Sequence, residues 1–243
     1  MERYKQIRPY CRTDRDAVRE ICYKTACRAK GDSVFFEMRD VIVDYLSLYY
    51  TDRSPETVWV VELDGQVVGY LLGCSNTREF LCFTVCLIMP RLILRALSDA
   101  VKGNYKDPMT KNIIKWALLK SWFETPYIPL RKFASHFHCN LLPRASGKGY
   151  FTALALAFLD QMQKQGVTGF HARILEPRHG PFKRMLDRFM RSYSGDVGFY
   201  AERPSSFHRW VLGWDKEMVN RVWGGDITVA KEVFRFLHNR YGL

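Results

Sequence analysis

A chain of 243 residues that is 47% hydrophobic and 26% charged is long enough to bury one sizeable core. Its content of Phe, Tyr, Trp and Ile excludes an intrinsically disordered polymer. The formal charge of +12 favours polyanionic or phosphorylated partners without specifying one.

The pattern predicts a first strand over residues 4–9. Thr13 follows as a helix N-cap, with Asp14 and Asp16 in the first turn, where the helix dipole favours negative charge. The helix carries Ala17, Val18, Ile21 and Cys22 at helical spacing and is closed by Gly31. A second helix is predicted over 36–49 and a loop over 51–55. Residues 58–63 form a β-rich run, Asp64-Gly65 is a turn that needs positive φ, and 66–73 is the returning strand of a hairpin. From 77 to 131 the strand pattern gives way to two predicted helices, 80–97 and 109–123, read as a folded helical insertion. Strand signals return at 133–142. A loop over 143–149, a helix over 150–163 stopped by Gly166, a strand over 167–175 and a basic helix over 181–190 follow. Residues 196–201 and 207–212 read as two last strands, and 215–243 as a mainly helical extension. This alternation predicts an α/β (α+β) domain, one unit over 1–243, with a mixed sheet and helices on its faces.

The seven cysteines are odd in number and lack a C-x-x-C pair, which points to core thiols in a reducing compartment. The N-terminus is polar and charged and does not read as a signal peptide, so a cytoplasmic location is expected. The longest apolar run, 80–89, is too short to span a bilayer and meets Pro90-Arg91, so no transmembrane segment is expected. Cys82 and Cys86 have helical i, i+4 spacing but no nearby His or third Cys, and no metal is expected. Basic residues cluster over 91–132 and 173–191. They lack an aromatic–basic recognition motif or zinc finger, so nucleic acid is not the expected partner. A homodimer is compatible with the sequence.

The chemistry-bearing segment is 135–151: a strand, a basic glycine-containing loop, then a helix start. Such a start offers unpaired backbone N–H groups and partial positive charge. Gly147 and Gly149 allow close approach of an anion, and Arg144 and Lys148 add charge. The reading is a pyrophosphate-binding turn. It is not a P-loop, whose spacing differs, nor a dinucleotide fingerprint on a first strand. Strand alternation places His136, His138 and Asn140 on one face. A histidine accepts a proton near neutral pH, so His138 is the first candidate base and His136 the second. Glu62, acting through a water, is a third. Asp40 and Asp44 are candidates for the acceptor side.

The hairpin 60–70, with Asp64-Gly65 and Val68-Gly69-Tyr70, is similar to strands two and three of GNAT N-acetyltransferases. His136-Phe137-His138-Cys139-Asn140-Leu141-Leu142-Pro143 followed by Gly147-Lys148-Gly149 resembles the fourth strand and coenzyme A loop of that family. More narrowly, the His-x-His strand and the inserted helices resemble bacterial GNAT proteins related to the acetyltransferase-like domain of O-GlcNAcases.

The resemblance covers roughly residues 4–200. It implies a mostly antiparallel central sheet with a helical insertion between strands three and four, and acetyl-CoA as co-substrate in a V-shaped split between strands four and five. It implies cofactor contacts from Asn140, Leu141, Leu142, Ser146, Gly147, Lys148, Gly149, Tyr150 and Phe151, and direct attack of an acceptor amine on the thioester. Three positions depart from the pattern. Ser146 stands where Gln or Arg is usual, and Phe151 where Gly or Ala is usual, so its ring must point away from the cofactor. Met185 stands near the usual Tyr, leaving Tyr193 and Tyr200 as distant proton donors. The alternative implied by these departures is a catalytically silent module that binds acyl-CoA or a protein partner.

Overall fold

The computed structural model describes residues 6–26, 28–29, 32–190 and 197–241. Seven strands form one sheet in the order β1-β4-β5-β6-β7-β9-β8. They are β1 (Ile7–Pro9), β4 (Val58–Leu63), β5 (Gln66–Cys74), β6 (Ser135–Leu141), β7 (Gly169–Pro177), β8 (Val197–Ser205) and β9 (Met218–Asp226). A separate two-stranded ribbon pairs β2 (Arg28–Ala29) with β3 (Asp32–Ser33). Every neighbouring pair in the large sheet is antiparallel except β6 and β7.

The hairpin of β4 and β5 forms where its sequence places it. Asp64 (φ 52°) and Gly65 (φ 71°) both adopt positive φ, the geometry that matches the twist of a two-residue turn to its strands. Helix α6 (Tyr150–Lys164) shows Leu154, Phe158 and Met162 to one face of the sheet. There they meet Phe137, Phe170, Trp223 and α9 (Ile227–Tyr241) in a dry core. Each of these side chains contributes about 2 kcal/mol through burial. The opposite face is covered by α1 (Arg15–Thr25) and α2 (Arg39–Leu48). It is more polar, since Tyr70, Cys22 and Tyr50 join Val18, Ile21 and Leu72 in it.

Several expectations are corrected. Asp14, not Thr13, stands at the N-cap of α1, because its carboxylate is held by Arg8 and the Cys11 amide. Gly31 and the start of the predicted first strand lie outside the described residues, and α1 already ends at Thr25. The expected loop at 51–55 begins as a π-turn, Tyr49–Arg53, which prolongs α2. Phe207–Leu212 is a helix, α8, because Phe207 and Val211 at i and i+4 must face Ile113 and Val34 together. The tail is not wholly helical: β9 enters the sheet between β7 and β8 before α9 begins.

The segment between β5 and β6 is helical, as expected. It holds α3 (Thr77–Phe83), a π-turn (Thr84–Ile88), α4 (Met89–Val101) and α5 (Pro108–Leu119). The apolar run does not stop at Pro90. The Met89 amide reaches back five residues to Thr84, and this wider turn accommodates a proline that lacks its own N–H. The result is one continuous 25-residue helix, Thr77–Val101, long and apolar enough to cross a membrane by length and composition alone. Much of its apolar surface is exposed, including Leu94, Leu97 and Val101. The segment is tied to the body by Arg95–Asp40 and by Glu37, whose carboxylate accepts the amides of Lys106 and Asp107.

Candidate active site

Strand β6 stays paired with β5 as far as Leu141, and β7 stays paired with β9 as far as Pro177. Between themselves β6 and β7 share only Ser135–Phe170 and His136–His171. Beyond that point each strand follows its other neighbour and a gap opens. Antiparallel geometry determines which groups face it. The Leu142 amide donates to Val68 O at 2.8 Å, so the alternate amides of Leu141 and Cys139 turn toward β7. Of the two leucines picked out in the sequence, Leu141 therefore faces the gap, while Leu142 has its amide committed to β5.

The loop after β6 leads to the start of α6. A short turn at Pro143–Ala145 ties the Ala145 and Ser146 amides to Leu142 O and Pro143 O. The Ser146 amide is therefore not available to a ligand. Gly147 (φ 70°) and Gly149 (φ 83°) then reverse the chain in the left-handed region, where a side chain is strained. Among the described residues, no acceptor lies in good hydrogen-bond geometry for the consecutive amides of Gly147, Lys148, Gly149, Tyr150 and Phe151. Unpaired N–H groups at a helix start form a cradle that can hold an anion. The Phe151 ring points into the core and packs edge-on against Phe234, with 5.8 Å between centroids, so it leaves the cradle open. Tyr150 is buried, with its hydroxyl bonded to Gln6.

On the α1–α2 side, residues distant in sequence form one chain of hydrogen bonds. Cys22 Sγ lies 3.0 Å from Tyr70 Oη, Tyr70 Oη lies 2.8 Å from Asn140 Nδ2, and Asn140 Nδ2 lies 2.9 Å from His138 Nε2. Burial lowers the His138 pKa to about 4, so the ring is neutral at physiological pH. Burial also raises the Tyr70 hydroxyl well above its usual value and the Cys22 thiol to about 11, so the whole chain is uncharged.

His136 is different. Its Nε2 lies 2.8 Å from Tyr50 Oη and its Nδ1 lies 2.8 Å from Thr77 Oγ1. With both ring nitrogens engaged and the ring buried, it has no free site for a substrate proton. Glu62 is not brought to the histidines either. It sits on β4 with β5 between it and β6, and its carboxylate is held by Arg8, which also binds Asp14. Asp44 pairs with Arg19 and Asp40 with Arg95. Tyr200 stacks on Phe133 at 4.3 Å. Tyr193 lies outside the described residues, as does the Met185 side chain.

Sequence reading missed Tyr70, Tyr50 and Thr77, which orient the two histidines. It also missed Glu176, whose carboxylate accepts the amides of Phe182 and Lys183 at the start of α7 (Pro181–Met190) and pairs with the buried Arg221. A surface recess of about 400 Å³, lined by Ser75, Asn76, Arg78, Leu130, Arg131 and Ala134, lies at the other end of β6 and holds none of the predicted site residues.

An open, mostly antiparallel sheet that splits at its one parallel pair, with a glycine-turned helix start beside the split, is the fold of the GNAT acetyltransferases. A solved structure, SsHAT, is similar over 91% of this chain and 97% of its own, with 24% identity and a TM-score of 0.59. The ribosomal-protein-alanine N-acetyltransferase from Brucella melitensis matches over 90% and 98%, with 13% identity and a TM-score of 0.47. The Salmonella typhimurium yncA structure, which holds its cofactor acetyl-CoA, matches over 91% and 92%, with 15% identity and a TM-score of 0.44. The fold assignment rests on the first of these. No family model matches the chain, and no curated protein does.

Proposed function

We propose that this chain is an acetyl-CoA-dependent N-acetyltransferase that acts on an amine of a small molecule or a protein. The observation that carries the reading is the gap between β6 and β7 beside the five free amides of residues 147–151. Phe151 turned into the core is what lets the residues fit the cofactor. The amides of Gly147 to Phe151 hold the diphosphate, with Lys148 and Arg144 adding charge at the rim. The Leu141 amide, with Asn140 on the same strand, lines the inner part of the gap. When bound, acetyl-CoA supplies an activated acetyl thioester.

The acceptor amine attacks directly: an N–C bond forms, the C–S bond breaks, and sulfur leaves as a thiolate that takes its proton from water. The amine proton goes to His138. Rotating the Asn140 amide by 180° exchanges the ring tautomer. With the amide nitrogen toward the ring, Nε2 accepts and Nδ1 carries the proton. With the amide oxygen toward the ring, Nε2–H and the Tyr70 hydroxyl both donate to it, and Nδ1 is the free base. Tyr70 and Asn140 thus position His138, and the Leu141 amide stabilises the developing oxyanion.

A second reading, a module that binds acyl-CoA without transfer, draws support from Met185 at the usual tyrosine position and from Tyr200 held on Phe133. The narrower kinship with proteins related to the O-GlcNAcase acetyltransferase-like domain draws support from the His-x-His strand and the inserted helices. The six described cysteines carry no disulfide, in keeping with a cytoplasmic protein. Isothermal titration with acetyl-CoA and thiol release across an amine panel test the readings. Binding with release supports the enzyme, binding without release supports the silent module, and no binding at millimolar acetyl-CoA rejects both.

A further inference from the structure

Arg173 lies on β7 two residues beyond the last β6–β7 pair, where the gap has opened. Alternation puts it on the same face as His171, whose ring lies 5.4 Å from that of His136. It therefore stands across the gap from His138 and Asn140. Four arginines of the sheet and the helices beside it are neutralised: Arg8, Arg15, Arg19 and Arg221 each pair with a carboxylate. Arg173 has neither an ion-pair nor a hydrogen-bond partner among the described residues. The titratable groups it couples to are the neutral phenols of Tyr45 and Tyr50, and its own charge opposes protonation of His136 and His171.

No carboxylate is in that set, and Asp40 and Asp44 on α2 pair instead with Arg95 and Arg19. Its side chain stays accessible to solvent, yet surrounding protein lowers its pKa below the usual arginine value. A desolvated guanidinium with open donors is costly unless an oxyanion completes it, and its planar fork fits one in two parallel hydrogen bonds.

We propose that Arg173 is the acceptor anchor, and that the site takes an amine carrying a carboxylate or phosphate, with the anion on Arg173 and the amine toward His138. The proposal rests on the acetyltransferase reading for the fate of the amine, but the anion site stands on its own geometry. Polyamines and lysine side chains, which bring only positive charge, meet the wrong sign here.

The test uses the full chain, with Arg173→Met and Arg173→Lys. Matched amines are compared: glycine against glycinamide, and phosphoethanolamine against ethanolamine. In the wild type the anionic member of a pair is favoured roughly 10- to 100-fold in kcat/KM, the worth of a charge-assisted hydrogen-bonded pair. The preference collapses in Arg173→Met and is partly kept in Arg173→Lys. Whichever pair shows it tells carboxylate from phosphate. Thermal shift with the same amines reads the site without turnover, and titration with CoA separates the two claims.

If CoA fails to bind while anionic amines still stabilise the wild type and not Arg173→Met, the anion site stands and the transferase reading falls. The proposal is overturned if the wild type treats anionic and neutral amines alike in both assays, or if Arg173→Met retains the preference. It is also overturned if Arg173→Met weakens CoA binding with discrimination unchanged, since Arg173 would then serve the cofactor.

Discussion

The two walls of the gap are built to different rules. On the β6 wall four polar groups are neutral and bonded one to the next, from Cys22 through Tyr70 and Asn140 to His138. On the β7 wall the gap-side charge of Arg173 is open, while the buried charge behind it is closed. Arg221, almost fully buried, is bonded to Glu176, Glu202 and the carbonyls of Pro177 and Arg178. Two arginines in the same half of the sheet thus have opposite fates. A charge that holds the fold is saturated with partners, because an unpaired buried ion is destabilising. A charge that faces the gap keeps its donors for something outside the chain.

Acid attacks both walls at once and gives the largest expected effect. His138 and His171 have folded pKa values of about 4 against an ordinary 6.5. Between those values the unfolded chain binds protons that the folded chain refuses. Their contribution is therefore fully present above about pH 6.5 and is lost as the pH falls to about 4, costing roughly 3 kcal/mol for each ring. Urea unfolding across that range checks it; a flat profile shows that the rings are not buried neutral.

Glu176→Ala breaks the closed side alone. It strands Arg221 and removes the acceptor for two α7 amides, at an expected cost of about 3–5 kcal/mol in denaturant unfolding. His138→Ala sharpens the contrast on the other wall. On the proposed mechanism kcat falls roughly 10²-fold with CoA affinity unchanged, and Tyr70→Phe lowers it less, because it perturbs only the tautomer. Gly147→Ala forces a side chain into the left-handed region and costs about 1 kcal/mol, read as a lower Tm. Leu97→Ser, on the exposed face of α4, changes stability by less than about 0.5 kcal/mol.

Legibility followed how local each signal was. Asp64-Gly65 and the glycines after β6 were readable because positive φ is a property of single residues. The histidines were found, but not their difference: alternation puts His136 and His138 on one face, whereas Tyr50 and Thr77, which occupy His136, come from other elements. Strand β9 was hidden because it is buried on both faces, so Val222, Trp223 and Arg221 show no alternation of apolar and polar residues. Arg173 looked like one more member of a basic cluster.

By itself the sequence determined the hairpin, the turn into α6, the helical character of the insertion and the resemblance in motif order, since these depend on backbone preferences and short-range periodicity. Tertiary structure alone decided where β6 and β7 part, which histidine is free, and that Arg173 stands at the gap with no partner among the described residues. Those are facts about what stands opposite a residue. Distant segments supply that neighbour, and no window along the chain contains it.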